Sequence, residues 1–198
     1  MKGSLIILSF FVLGVILAKA GLIHEVFTEN DFTKIILLGL MFTVGLTIGS
    51  DQKLISSLKN QNKKILLVPA ATIIGSLLGA FLISFFLKWS PSDCMAVASG
   101  FGYYSLSSIF ITEFRGEELG TIALMANIMR EICALLMAPL FLRFFGKLAP
   151  ITAGGATTMD TTLPIIIKNS GKDFLIIAIV HGFLVDLSVP FLVSLFCS

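Results

Sequence analysis

A chain of 198 residues in which 56% are hydrophobic and only 13% are charged lacks the polar residues that a soluble domain needs to cover its surface. Its mean hydropathy of +0.98 indicates that lipid surrounds it, and a formal net charge of +2 is too small to indicate nucleic-acid binding. The isolated cysteines Cys94, Cys133 and Cys197 lie in apolar sequence, so we expect no disulfide, metal site or cofactor. The composition therefore predicts an integral membrane protein.

Apolar windows of about 20 residues, the length that crosses a bilayer as a helix, predict the membrane segments. They cover residues 5–22, 32–48, 65–87, 94–114, 119–145, 157–167 and 174–196. The sixth is too short to cross as a plain helix. The connection 51–64 contains four lysines and one aspartate, so the positive-inside rule places it in the cytoplasm.

The charges of the later connections conflict with a fourth segment that crosses the bilayer. The acidic connection 113–118 would then be cytoplasmic, and Arg143 and Lys147 would lie outside. Both connections agree with the positive-inside rule if the fourth segment enters the membrane from outside and turns back, and if the sixth segment does the same from the cytoplasm. We therefore predict one all-α, multi-pass transporter domain over 1–198, with about five spanning helices and two broken or re-entrant segments.

The two broken segments resemble each other, because each has glycines followed by a cluster of hydroxyl residues at 98–108 and 152–162. An inverted repeat would bring two broken helices together near the midplane, with positive helix ends facing a carboxylate and free carbonyls facing a cation. Close packing of small residues is the alternative explanation. The predicted binding residues in these segments are Ser99, Gly100, Tyr103, Tyr104, Ser105, Ser107, Gly154, Gly155, Thr157, Thr158, Asp160 and Thr161.

Strongly polar side chains also interrupt the apolar segments at Asn127, Arg130, Glu131, Asp160 and Asp186. An uncompensated charge at bilayer depth costs about 3 kcal/mol or more, so such residues usually line a path for solute or ions. Asn127 and Glu131 share a helix face, whereas Arg130 and Glu131 point about 100° apart. We therefore expect Arg130 to pair with Asp160 or another carboxylate across the bundle, either for binding or as a structural ion pair. Asp186 lies nearer the end of its segment and ranks below Asp160.

His181 lies five residues before Asp186 in the last segment. It is either a proton relay, because imidazole titrates near neutral pH, or a hydrogen-bonded packing residue. The rings of Tyr103 and Tyr104 can face an ammonium group, although aromatic belts and core packing are commoner uses of such residues.

An enzyme is the alternative that these residues leave open. Ser105, Ser107 or Ser108 and His181 are the residue types of an intramembrane serine protease dyad, for which the glycine-rich backbone would supply oxyanion donors. The sequence alone does not fix the distance between them.

Four separated motifs resemble the bacterial lysine exporter family (LysO-type). They are ASGFGYYSLS at 98–107, Arg130-Glu131, GGATTMDTTLP at 154–164 and IVHGF at 179–183. The resemblance implies a transporter rather than an enzyme, which exports L-lysine and its analogues across the bacterial inner membrane. It also implies that Glu131 and Asp160 take part, and we expect protons or another ion to drive the export.

The resemblance covers the C-terminal portion of the fused family form, whose N-terminal set of about three spans is absent. Tyr103 and Ser108 stand where tryptophan and glycine are common in the family. Because the family is also known in split form, a short separate membrane protein completes the carrier, or copies of this chain pair with each other. A third alternative is that the chain is a membrane subunit that is active only together with the short partner protein.

Overall fold

The computed structural model describes residues 63–198 and the isolated positions 13, 16, 17, 19, 20, 42 and 46. The chain divides into two compact units, Met1–Asp51 and Gln52–Ser198. The first two predicted segments, 5–22 and 32–48, lie outside the described residues except for those isolated positions, and most of the basic connection 51–64 does too.

Every regular element of residues 63–198 is helical, as the sequence predicts. The α-helices are α1 (Leu67–Ser84), α2 (Pro91–Ala98), α3 (Tyr104–Arg115), α4 (Glu117–Phe145), α5 (Ala149–Gly154), α6 (Leu163–Ser170) and α7 (Leu175–Cys197), and 3₁₀ turns occupy Lys63–Leu66, Gly155–Met159 and Lys172–Phe174. Within this part of the chain, two stretches are long and apolar enough to cross a membrane, Leu67–Ser84 and Lys172–Cys197.

The fourth and sixth predicted segments are both broken helices. The fourth is interrupted at residues 99–103, between α2 and α3, where Phe101 and Gly102 have φ of 46° and 95°. The sixth is interrupted at 155–162, between α5 and α6, where Gly155 has φ of 64°. Positive φ ends a right-handed helix, and glycine adopts it without steric cost. The glycines of the two segments therefore indicated where the helices are interrupted.

The α2–α3 segment, residues 91–115, turns back on itself, and we call it hairpin 1. The carboxylate of Asp93 at its start lies 3.7 Å from the guanidinium of Arg115 at its end. Both ends also contact the end of α7, since the Phe196 carbonyl accepts hydrogen bonds from Ser92 Oγ at 2.6 Å and Arg115 Nη2 at 3.3 Å. The open end of hairpin 1 therefore lies beside the C-terminus of α7.

The α5–α6 segment, residues 149–170, turns back in the same way, and we call it hairpin 2. Ile151 of α5 and Ile166 of α6 are buried together with Ala178 of α7. At its open end, the Lys147 ammonium lies 5.7 Å from the centroid of the Phe174 ring, just before α7 begins. Because α7 runs from the open end of hairpin 2 to that of hairpin 1, the hairpins approach each other from opposite ends of this unit.

The tips of the two hairpins meet through the backbone. The Ala156 N–H of hairpin 2 donates a hydrogen bond of 2.9 Å to the Phe101 carbonyl of hairpin 1. A Cβ atom on Gly155 would collide with that same carbonyl oxygen. Residue 155 therefore has to be glycine for two reasons, its positive φ and the close approach of the other tip.

We expect Gly155→Ala to destabilise the fold more than Gly171→Ala does. Both glycines have positive φ, so both variants incur backbone strain on the order of 1–3 kcal/mol. A Cβ on Gly171 has no described atom within 4 Å, whereas one on Gly155 displaces the other tip, at a further cost of about 1–3 kcal/mol. The unfolding temperature of purified protein should therefore fall further for Gly155→Ala, by about 2–4 °C per kcal/mol. Equal unfolding temperatures would contradict the tip contact.

The hairpin geometry also predicts which loops share a side of the membrane. Single cysteines at Glu117, beside the open end of hairpin 1, and at Lys172, beside that of hairpin 2, should label from opposite sides with an impermeant thiol reagent. The background lacks the native cysteines, and both positions are exposed. The positive-inside rule assigns the Lys172 side to the cytoplasm. Labelling of both positions from the same side would show that the hairpins are not opposed.

Candidate functional site

A cavity of about 280 Å³ lies beside the contact between the two hairpin tips, and we call it the acidic cavity. Hairpin 1, hairpin 2, α4 and α7 all contribute to its wall. The lining residues are Gly102, Tyr103, Tyr104, Ser105, Glu131, Ala156, Thr157, Met159, Asp160, Thr161 and Asp186. The cavity therefore lies where the two broken segments come together.

Among the described residues, three carboxylates line this cavity, and no lysine or arginine does. Asp186 is buried, with 7% of its surface exposed, Glu131 is half-buried, and Asp160 is exposed. An ionised carboxylate only accepts hydrogen bonds, and like charges close together repel unless a cation lies between them. The lining is therefore suited to a solute with more than one ammonium group.

Asp160 has fewer local partners than the hydroxyl cluster around it suggests. Its Oδ1 accepts hydrogen bonds from the Thr161 backbone N–H at 2.5 Å and from Thr161 Oγ1 at 3.4 Å. Thr157 instead donates to the Gly154 carbonyl and contacts Thr162. The neighbouring Thr161 therefore uses only Oδ1 of Asp160, and Asp160 itself lines the cavity.

Asn127 of α4 holds the tip of hairpin 1 in place. Its side chain is buried, and its Oδ1 accepts a hydrogen bond of 2.8 Å from the Gly102 N–H. Its Nδ2 donates to the carbonyls of Val97, at the end of α2, and Ala123, in its own helix. The bond from the Gly102 N–H satisfies a backbone donor in the segment where the helix is broken. Asn127 is therefore a positioning residue, and it does not line the acidic cavity.

Arg130 does not form the ion pair that the sequence predicts, as far as the described residues extend. Its Nε donates to the Ala153 carbonyl at 3.1 Å, its Nη2 to the Thr152 carbonyl at 3.0 Å and its Nη1 to Ser76 Oγ at 3.0 Å. Within the described residues, backbone carbonyls take the place of the expected carboxylate, because α5 ends here and its last carbonyl oxygens attract a cation.

His181 lies at a junction of three elements rather than in the acidic cavity. It is fully buried, with Nε2 2.8 Å from Thr72 Oγ1 of α1 and Nδ1 3.1 Å from Thr158 Oγ1 of hairpin 2. Both ring nitrogens thus have hydroxyl partners. These contacts support the packing role, and His181 as a proton relay stays a prediction without a contact to the cavity.

The serine–histidine dyad of the enzyme alternative is not formed. Ser107 donates to the Tyr103 carbonyl at 2.8 Å, and Ser108 Oγ lies 3.5 Å from the Ser105 carbonyl. The partners of His181 are the threonines described above, and Ser105 lines the cavity, which His181 does not. The described contacts therefore do not support this alternative, because residue types alone do not fix which side chains meet.

The other predicted site residues divide into two groups. Tyr103, Tyr104, Ser105, Thr157 and Thr161 line the acidic cavity together with Glu131 and Asp160. The residues of the second group are buried where the segments pack against their neighbours. They are Ser99, Gly100, Ser107, Gly154, Gly155 and Thr158. At Gly100, for example, a Cβ atom would collide with the Asn127 side chain. Small size rather than polarity explains the glycines in this second group.

Asp186 lines the cavity although the sequence ranks it below Asp160 because of its position along the segment. It is the most buried of the three described carboxylates, which the sequence did not predict. The available signal was that Asp186 is the only acidic or basic residue apart from His181 in α7. Met159 and Gly102 also line the cavity without having been predicted.

A larger cavity of about 430 Å³ lies between α1, α2 and α4. Its described lining is mostly apolar, and it includes Asn127 and Arg130 but no carboxylate. Because the carboxylates lie in the acidic cavity, that cavity is the candidate site for a cationic solute.

A sequence model of the family described as "Lysine exporter LysO" matches residues 8–197. The chain is 32% identical over 195 residues to "Lysine exporter LysO" of Escherichia coli strain K12, covering 98% of this chain and 64% of that protein. It is 37% identical over 171 residues to a "Putative lysine exporter" of Haemophilus influenzae, covering 85% of this chain and 86% of that protein. The chain thus spans less than two thirds of the length of the E. coli relative. No solved structure matches.

Proposed function

Because the chain belongs to the LysO family of lysine exporters, we propose that it moves L-lysine and lysine analogues out of the cytoplasm across the bacterial inner membrane. Family membership makes it a membrane protein. The substrate, the direction and the site are parts of the proposal, and the observation that supports them best is the acidic cavity between the hairpin tips.

The charge of the cavity fits a dibasic amino acid. Lysine has two ammonium groups and one carboxylate at neutral pH. Asp160, Glu131 and Asp186 together offer carboxylates to both ammonium groups. A volume of about 280 Å³ lies near the lower end of the usual range for small-molecule sites, about 300–1,000 Å³, which suits a solute the size of an amino acid.

The carboxylate of the substrate also has a suitable partner in the cavity wall. Helix α3 begins at Tyr104, and the first turn of a helix has N–H groups without partners inside the helix. No side chain caps this end, and Tyr103, Tyr104 and Ser105 all line the cavity. We place the substrate carboxylate at this positive helix end, where anions bind favourably, and the ammonium groups toward the acidic side chains.

We propose that export is coupled to protons and that one of the same carboxylates is the exchange site, where a proton and an ammonium group of lysine compete. Glu131 is our first candidate for this role, because it is half-buried on α4 and next in sequence to a residue that contacts hairpin 2.

The hairpins also suggest how access alternates. Their open ends lie at opposite ends of α7, so each hairpin can separate the cavity from one side of the membrane if both are re-entrant. We also propose that the chain acts together with a short separate membrane protein or with a second copy of itself.

We expect Asp186→Asn, Asp160→Asn and Glu131→Gln each to lower lysine flux into or out of proteoliposomes under an imposed proton gradient. Each variant keeps the size of the side chain and removes its charge. Loss of a charge-assisted contact costs about 1.5–3 kcal/mol, which corresponds to about a 10–100-fold change in binding. Asp173→Asn is the control, because Asp173 is exposed outside the cavity and should leave the flux unchanged. Wild-type flux in all three cavity variants would overturn the proposed site.

A further inference from the structure

We propose that Ser76 Oγ and the carbonyl oxygens of Thr152 and Ala153 form a cation site between α1 and hairpin 2, and that the Arg130 guanidinium fills it permanently. The role assigned to this site in transport rests on the proposed function. Arg130 is then a positioning residue whose side chain acts as a covalently attached cation where the two hairpin tips meet.

The ligand atoms around Arg130 support this inference. All three are oxygens, at 3.0 Å from Nη1, 3.0 Å from Nη2 and 3.1 Å from Nε. Neutral carbonyl and hydroxyl oxygens are also ligands that hard metal cations bind. The guanidinium is planar and presents several N–H donors in a fixed fork, which explains how one side chain reaches two consecutive carbonyls.

The position of the carbonyls explains why a cation is needed there. Helix α5 ends at Gly154, and the last carbonyls of a helix have no partner inside it. These groups also form the negative end of the helix dipole. At membrane depth lipid cannot satisfy such groups, so protein atoms, water in a cavity or a bound ion must do so. The Arg130 side chain supplies both the donors and the positive charge.

Arg130 also lies against both hairpin tips. Its guanidinium carbon is 5.8 Å from the centroid of the Phe101 ring in hairpin 1. Its Nε would lie 3.2 Å from a Cβ atom on Gly155 in hairpin 2. The next residue, Glu131, lines the acidic cavity. The Arg130 cation therefore stabilises the contact between the two hairpin tips, while the adjacent Glu131 carboxylate faces the substrate. We expect transport to need no metal cation at the position of the guanidinium.

Removing the side chain should leave a vacant site that free guanidinium can refill. We expect purified Arg130→Ala to unfold at a lower temperature than the wild type, and millimolar guanidinium chloride to raise that temperature by about 2–4 °C or more. Urea at the same concentration is the matched control, since it has the same planar shape without the charge. Neither compound should raise the unfolding temperature of the wild type or of Arg143→Ala, in which an exposed arginine of the same helix is removed.

Lysine flux provides the second measurement. The lysine flux of Arg130→Ala should be at least about tenfold lower than that of the wild type. Guanidinium should restore part of this flux, and urea should not. Arg130→Lys should have an intermediate flux, because the lysine ammonium keeps the positive charge without the planar fork of N–H donors. Arg143→Ala should transport like the wild type. If Arg130→Ala folds only when guanidinium is present, that result also supports the site.

Two outcomes would overturn the inference. One is wild-type flux and stability in Arg130→Ala without any additive, and the other is an equal response of that variant to guanidinium and urea. If the wild type itself moves no lysine, the proposed function fails, while the difference between guanidinium and urea in the unfolding temperature still tests the cation site.

Discussion

The hydrogen bond between the Ala156 N–H and the Phe101 carbonyl is the contact on which the described structure depends. It joins two helix breaks, and every helix break leaves backbone groups that must find partners when water is excluded. Asn127 and Arg130, one turn apart on α4, supply partners to hairpin 1 and hairpin 2 respectively. The longest helix of the described part of the chain is thus the support on which both broken segments are assembled.

The polar residues of α4 have separate roles because they face different neighbours. Asn127 satisfies the tip of hairpin 1, Arg130 compensates the carbonyl end of α5, and Glu131 faces the acidic cavity. Charges of opposite sign thus occupy adjacent positions without neutralising each other. This arrangement leaves the three cavity carboxylates available for a cationic solute, which is the basis of the proposed lysine site.

The sequence predicted the helical class and both breaks, because glycines at 100, 102, 154 and 155 interrupt otherwise apolar helices. The binding site that the sequence places at the two breaks, together with Glu131, stays a prediction. The sequence did not predict the described partners of Arg130, since these are backbone carbonyls exposed by the end of α5, which have no signature in residue type. It did not predict the burial of Asp186 either, because burial depends on which helices surround α7. Family membership is established by comparison, while the roles of individual residues remain proposals.

Binding of L-lysine and L-norleucine to the purified chain, measured by titration calorimetry, tests the central claim most directly. Norleucine has the same carbon skeleton and lacks only the terminal ammonium group. If the carboxylates at the hairpin crossing bind the two ammonium groups of lysine, lysine should give a saturable binding heat and norleucine should bind at least about tenfold more weakly. Equal binding of the two amino acids, or no binding of lysine, would contradict the account.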